Sequence, residues 1–195
     1  MTNSIVAILY LVSALLFIFA LRGLSHPESS RRGNIFGIIG MIIAIITTLM
    51  FKSVLSYYEI GAAILLGGLI GTIIALKIKM TALPQLVAAF HSLVGLAAVF
   101  VAAAAFYDPV SFNIGQKEDI ITSSLIELSI GTFIGAITFS GSILAFGKLQ
   151  GTISGKPIVF RFQHLINAII FLFIIFFIIL FVTNQSPAIF WTMVL

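Results

Sequence analysis

The sequence predicts an all-α integral membrane protein: a polytopic bundle of six transmembrane helices, with a short apolar C-terminal segment that reads as a partial seventh helix. Three observations predict it. Of the 195 residues, 61% are hydrophobic and 8% charged, whereas soluble domains carry roughly 25% charged residues. The charges fall between apolar runs long enough to cross a hydrocarbon core about 30 Å thick, which takes about 20 helical residues. Six such runs with short connections use nearly the whole chain. Helix is the form they must take, because a span in lipid has to satisfy its own backbone hydrogen bonds. With no cysteine, disulfides, thiolate metal sites and iron–sulfur clusters are excluded, so redox chemistry would come from a partner.

The first run, residues 5–21, ends at Arg22. It lacks the basic segment before it and the small-residue cleavage site after it that mark a signal peptide, and reads as a retained span. The second, 33–51, lies between Arg32 and Lys52. The third, 53–76, carries Glu59 behind the interfacial pair Tyr57 and Tyr58 and stops at Lys77. The fourth, 80–107, has His91 as its one ionisable interior group and is long enough to span with tilt. The fifth, 120–147, contains Glu127. The sixth, 165–182, is apolar apart from Asn167 and ends at the turn-forming cluster Thr183, Asn184, Gln185, Ser186, Pro187. Residues 188–195, with Trp191, are too few to cross; they either lie in the interface or begin a seventh span.

Alternating the six spans puts Arg22, Arg31, Arg32, Lys77, Lys79, Lys148, Lys156 and Arg161 on one side, and Lys52 and Lys117 on the other. Short loops rich in Lys and Arg stay cytoplasmic, so the N-terminus, residues 108–119 and the Thr183 cluster are expected on the opposite side. The net charge of +4 is then a topology signal. No basic stripe interleaved with aromatic residues lies outside the spans, and no nucleic-acid partner is expected. The longest connections, 148–164 and 108–119, are too short for a domain. No GxxxxGK[ST] loop occurs and the glycines fall mostly inside apolar runs, so this chain is expected to bind no nucleotide cofactor.

Small residues four apart let membrane helices approach closely. Such spacing occurs at Gly33 and Gly37, Gly67 and Gly71, Gly131 and Gly135, and along Gly147, Gly151 and Gly155, and predicts tight packing without implying chemistry. An ionisable side chain inside the membrane is costly and marks an ion or proton path more often than chance. His91 and Glu127 are the candidates. At 1.5 Å per residue His91 is about 17 Å from Met80, and Glu127 about 10 Å from the opposite boundary at Ile120, so their depths nearly coincide. Pro84, Ala88, His91, Gly95, Ala98, Ala102 and Ala105 share one helical face, as do Ser124, Glu127, Gly131, Gly135, Thr138 and Ser142. The expectation is that these faces meet in a polar seam, with His91 and Glu127 on the proton pathway and Ser92, Ser124, Gly95 and Gly131 supporting it. An imidazole loads and unloads a proton at about pH 6.5, and one proton moving through 100 mV is worth about 2.3 kcal/mol. The remaining polar groups have plainer readings: His164 at headgroup level, His26 solvated before Pro27, Glu59 interfacial, and the hydroxyls of Thr138, Ser140 and Ser142 bonded to their own helix.

Three stretches carry a family resemblance: YLVSALLFIFALRGLSHPESSRRGN from Tyr10, QLVAAFHSLVGLAAVFVA from Gln85, and GAITFSGSILAFGKLQG from Gly135. With their spacing, the chain resembles the membrane part of the beta subunit of the proton-translocating NAD(P) transhydrogenase. The resemblance implies a place in a bacterial inner membrane and coupling of proton flow to hydride transfer between NADH and NADP+. It also implies that NAD(H) and NADP(H) bind in partner domains and not here. The family's membrane histidine, in the AFHSLVG context, maps onto His91, and the acid of SLIELSIG onto Glu127. Basic loops holding Arg31, Arg32 and residues 148–155 would face the nucleotide domains. The partners implied are an alpha subunit, further membrane helices and an NADP(H)-binding domain of the kind that follow this region in the family, and a second copy of the whole assembly. Two other readings remain open at this point: a small self-contained proton or solute channel or carrier, and a non-conducting truncated remnant.

Overall fold

A computed structural model describes residues 3–26, 28–50, 56–157 and 159–195. It contains α1 (Asn3–Leu24), α2 (Ser30–Leu49), α3 (Tyr57–Lys77), α4 (Leu83–Tyr107), α5 (Thr122–Leu149), α6 (Gln163–Asn184) and α7 (Pro187–Val194). A 3-10 turn, Met80–Ala82, leads into α4, and a two-stranded antiparallel ribbon, β1 (Gly115–Gln116) and β2 (Asp119–Ile120), sits between α4 and α5. Among the described residues, α1 to α6 are the helices long and apolar enough to cross a membrane. The fold is that of an all-α integral membrane protein.

Helix ends depart from the apolar runs for local reasons. The first helix continues through Arg22, and α2 already includes Arg31 and Arg32, because long basic side chains reach the headgroup level from inside a continuous helix. At the start of the fourth span, Pro84 lies in the first helical turn, the place where a missing N–H costs nothing. That turn begins at Leu83, not at Met80. Ile120 belongs to β2 opposite Gly115 rather than to α5, and Gly115 at φ 133° supplies a conformation that L side chains avoid. The expected boundaries at Phe51 and Ser53, with Lys52 between them, lie outside the described residues.

The chain forms two compact units, residues 1–73 and 74–195. In the first, α1 and α2 make an antiparallel hairpin whose closest approach is glycine on glycine. A Cβ placed on Gly23 would lie 2.6 Å from the Gly33 Cα, and one on Gly33 would lie 2.8 Å from the Ala20 carbonyl oxygen. Farther along the hairpin the Ser13 hydroxyl donates to the Gly40 carbonyl at 2.7 Å, and the hydroxyls of Tyr10 and Thr48 are 2.9 Å apart. No residue of α3 is buried, and Gly67 and Gly71 have open space where a side chain would go.

The second unit repeats the device. A Cβ on Gly95 would meet the Phe139 amide nitrogen at 2.6 Å and the Gly135 carbonyl at 2.7 Å; one on Gly135 would be 2.8 Å from the Gly95 carbonyl. Toward one end of this antiparallel pair, the Gln85 side-chain amide donates to the Leu149 carbonyl at 2.9 Å. Toward the other, Phe106, Leu125, Phe181, Phe190 and Met193 form the core shared by α4 to α7. The C-terminal segment is therefore a docked helix. Phe190 stacks on Phe106 with ring centroids 5.3 Å apart, the Trp191 indole donates to the Tyr107 hydroxyl at 3.0 Å, and the Gln185 side-chain oxygen accepts from the Ile120 amide at 3.1 Å.

Replacing Gly95 or Gly135 by Ala is expected to cost about 1–3 kcal/mol through backbone overpacking. Gly131→Ala and Gly67→Ala, with nothing within 4 Å of the added carbon, should stay within about 0.5 kcal/mol of the parent. Unfolding of the chain in mixed micelles measures all four.

Candidate functional site

The tight contact between α4 and α5 decides where the ionisable groups go. On α4 the buried residues are Ser92, Gly95, Val99, Ala102, Ala103, Ala105 and Phe106. His91 and Ala98, expected on the packed face, are exposed. The sequence pattern grouped the small side chains, but Val99 and Phe106 also belong to the interface and turn it toward Ser92. On α5 the buried positions are Leu125, Ser129, Thr132, Gly135, Ser142 and Gly147. Glu127 is exposed, and Ser124, Gly131 and Thr138 are half-buried. Thus Gly95 and Gly135 are brought together, Ser92 lies in the interface, and Gly131 has open space beside it.

His91 and Glu127 do not meet. From the Gly95–Gly135 contact, His91 lies four residues toward one end of the pair and Glu127 eight residues toward the other. That separates them by about 18 Å along the axis at 1.5 Å per residue. Their apparent match in depth came from measuring inward from opposite boundaries. With 25 and 28 residues, α4 and α5 are about 37 and 42 Å long, more than the hydrocarbon thickness, so such distances do not define a common level.

Glu127 and Ser124 instead line an open cavity of about 420 Å³, walled by Ala98, Val101, Ala102 and Ala105 of α4 and by Leu128 and Gly131 of α5. Phe112 and Ile114, from the connection between those helices, complete its wall. His91 is not on that wall. Neither His91 nor Glu127 has a hydrogen bond or ion pair among the described residues. A carboxyl group has two oxygens and an imidazole two ring nitrogens for hydrogen bonding, so each side chain has capacity for a partner.

The hydroxyls between the two groups do not link them. Ser92 donates to the Ala89 carbonyl, Ser129 to Leu125 and Thr132 to Leu128, each at 2.7 or 2.8 Å. Every one is committed to its own helix, as is Ser140 to Ala136. His164 is exposed at the start of α6, behind Phe162, over whose ring the Arg161 guanidinium lies at 5.0 Å. Sequence reasoning missed the anchoring roles of Gln185 and Phe190; the turn-forming residues before Pro187 and the aromatic pair Phe190–Trp191 were the available signals.

Six helices long and apolar enough to span among the described residues, two pairs of them closed glycine on glycine, define an integral, polytopic membrane protein. A family model for the NAD(P) transhydrogenase beta subunit matches residues 6–195, and the chain belongs to that family. Two curated relatives, each described as NAD(P) transhydrogenase subunit beta, come from Rhodospirillum rubrum and from a designated strain of the same species. Each is 58% identical over 164 residues, covering 84% of this chain and 35% of the relative. The chain thus spans about a third of the length of the curated relatives it matches.

Because the sequence has no cysteine, single-cysteine variants report these faces directly. A cysteine at position 91 or 127 is expected to react with a small, membrane-permeant maleimide in detergent on the order of ten times faster than one at position 92 or 129, where the thiol would be buried. Labelling rates followed by mass spectrometry test this.

Proposed function

We propose that this chain supplies part of the proton path of a proton-translocating transhydrogenase, with His91 as the relay and Glu127 as a second, separate position on the route. Hydride transfer between NADH and NADP+ takes place in partner domains, which hold NAD(H) and NADP(H). The observation that carries the reading is the placement of His91: mid-helix, uncommitted, and exposed on the flank of α4 one turn from the Gly95 contact. An imidazole left against acyl chains is unfavourable, so that flank suits a covering helix. The length of the relatives supports this, since they extend well beyond the region matched here. The relay therefore lies at a boundary between this chain and its neighbours, where a change in packing can open the ring first to one side and then to the other.

The remaining parts of the reading follow from the family and the charge pattern. The chain works with an alpha subunit, further membrane helices and an NADP(H)-binding domain, in a dimer of such assemblies. It lies in a bacterial inner membrane with its N-terminus on the non-cytoplasmic side, as the clustering of Lys and Arg supports. A self-contained channel is disfavoured by the close backbone approach at Gly95 and Gly135, which leaves the two ionisable groups without a connecting polar path.

In the assembled complex, His91→Ala is expected to lower proton-coupled hydride transfer by about 100-fold, the scale of losing a positioned proton-transfer group, with assembly intact. Proton uptake and reduction of a nicotinamide analogue, read together, test it; unchanged pumping removes His91 from the path. The 195-residue chain alone in liposomes should give no proton flux above empty vesicles.

A further inference from the structure

The α1–α2 hairpin carries a second cavity, of about 400 Å³, at the end where its basic residues gather. Arg22, His26 and Arg32 line it together with Ser29, Gly23, Gly33 and the rings of Phe19 and Phe36. None of these groups takes part in the proton path proposed above.

Its construction is specific. Arg22 and Arg32 each directly precede a glycine of the Gly23–Gly33 contact, so that backbone approach fixes the distance between the points from which the two guanidinium groups extend. The turn between them is closed by the Ser29 hydroxyl, which donates to the Gly23 carbonyl at 2.8 Å. The Ser25 hydroxyl gives its hydrogen to the Arg22 carbonyl at 2.7 Å, and so must accept from Nδ1 of His26, 2.9 Å away. The ring is thereby held at the cavity wall by Nδ1, with no hydrogen bond to Nε2 among the described residues. Both arginines and His26 are exposed. On the side of the spanning helices the floor is aromatic: Phe19 and Phe36 lie with centroids 6.2 Å apart and are 49% and 38% exposed.

We propose that this cavity binds an anionic phospholipid, its phosphate held between Arg22 and Arg32 beside His26 and one acyl chain lying over Phe19 and Phe36. Forked guanidinium groups match the geometry of a phosphate. An acidic protein segment would use the same charges but has no need of two exposed rings at the membrane-facing edge, whereas a lipid needs both halves. The site sits where the apolar run of α1 gives way to Arg22, the depth of a headgroup.

The test uses the full 195-residue chain in detergent, titrated with dioleoyl phosphatidylglycerol, dioleoyl phosphatidylcholine, inorganic phosphate or an oligo-glutamate peptide, with adducts counted by native mass spectrometry. Phosphatidylglycerol is expected to bind about tenfold more tightly than phosphatidylcholine, and millimolar phosphate or the peptide should not displace it. Each of the two arginines on the cavity wall contributes about fivefold to the hold on an anionic headgroup, so Arg22→Gln with Arg32→Gln should weaken phosphatidylglycerol binding roughly 25-fold. Arg31→Gln, on the same turn but off the cavity wall, should change it less than about twofold. The pair Arg22→Lys and Arg32→Lys preserves charge and should keep the lipid preference with reduced affinity, separating the site from a folding defect; circular dichroism checks helix content throughout. As a second variant that leaves the charges intact, Phe36→Ala should weaken the dioleoyl lipid and leave dihexanoyl phosphatidylglycerol unaffected. Equal binding of the two dioleoyl lipids, an equal loss in Arg31→Gln, no effect of Phe36→Ala on either chain length, or displacement by phosphate or by peptide would each overturn the proposal, the last two assigning the cavity to a free anion or to a protein carboxylate.

Discussion

Backbone-to-backbone contact between glycines is the constraint on which the rest depends. In lipid the apolar side chains of neighbouring helices gain little by leaving an equally apolar solvent, so association rests on close packing and on the few polar groups that pair. Gly23 against Gly33, and Gly95 against Gly135, bring main chains nearer than any side chain would allow. Each contact fixes both the separation and the rotation of its two helices, and rotation decides which residues face a partner and which face outward.

The consequence for the ionisable groups is direct. With Gly95 turned toward α5, Ser92 and Val99 enter the interface and His91 stays on its flank. With Gly135 turned toward α4, Leu125 and Thr132 are buried and Glu127 looks into an open cavity. The polar seam that a helical wheel suggests is replaced by a backbone contact, and His91 and Glu127 lie exposed on the flanks of their helices. The same geometry acts in the first hairpin, where it sets two arginines at a fixed spacing above a pair of aromatic rings.

Much of this was legible in the residues. Composition and charge spacing are enough for the membrane class and for six spans, because the free energy of placing a charge in hydrocarbon is large compared with anything local packing can offset. The small-residue rule pointed to Gly33 and Gly135, yet it weighed Gly67, Gly71 and Gly131 equally, and these have no neighbour. Their true counterparts, Gly23 and Gly95, lie on another helix, so no spacing within one helix reveals the pairing. Pro84 explains the start of α4 once the helix is known, and Gly115 explains the short ribbon before α5, but each is compatible with several backbones until its partner strand or turn is fixed.

What the sequence determined by itself is the solvent: which stretches sit in lipid, which ends carry positive charge, and that a histidine and a glutamate stand inside apolar spans. These depend on transfer free energies that add residue by residue along the chain. Tertiary structure alone decided the rotation of each helix about its axis, the 18 Å or so between His91 and Glu127 that follows from the helical rise, and the docking of α7 through Phe190 onto Phe106. Those depend on contacts between residues far apart in sequence, where a single backbone approach outweighs the average character of a helical face.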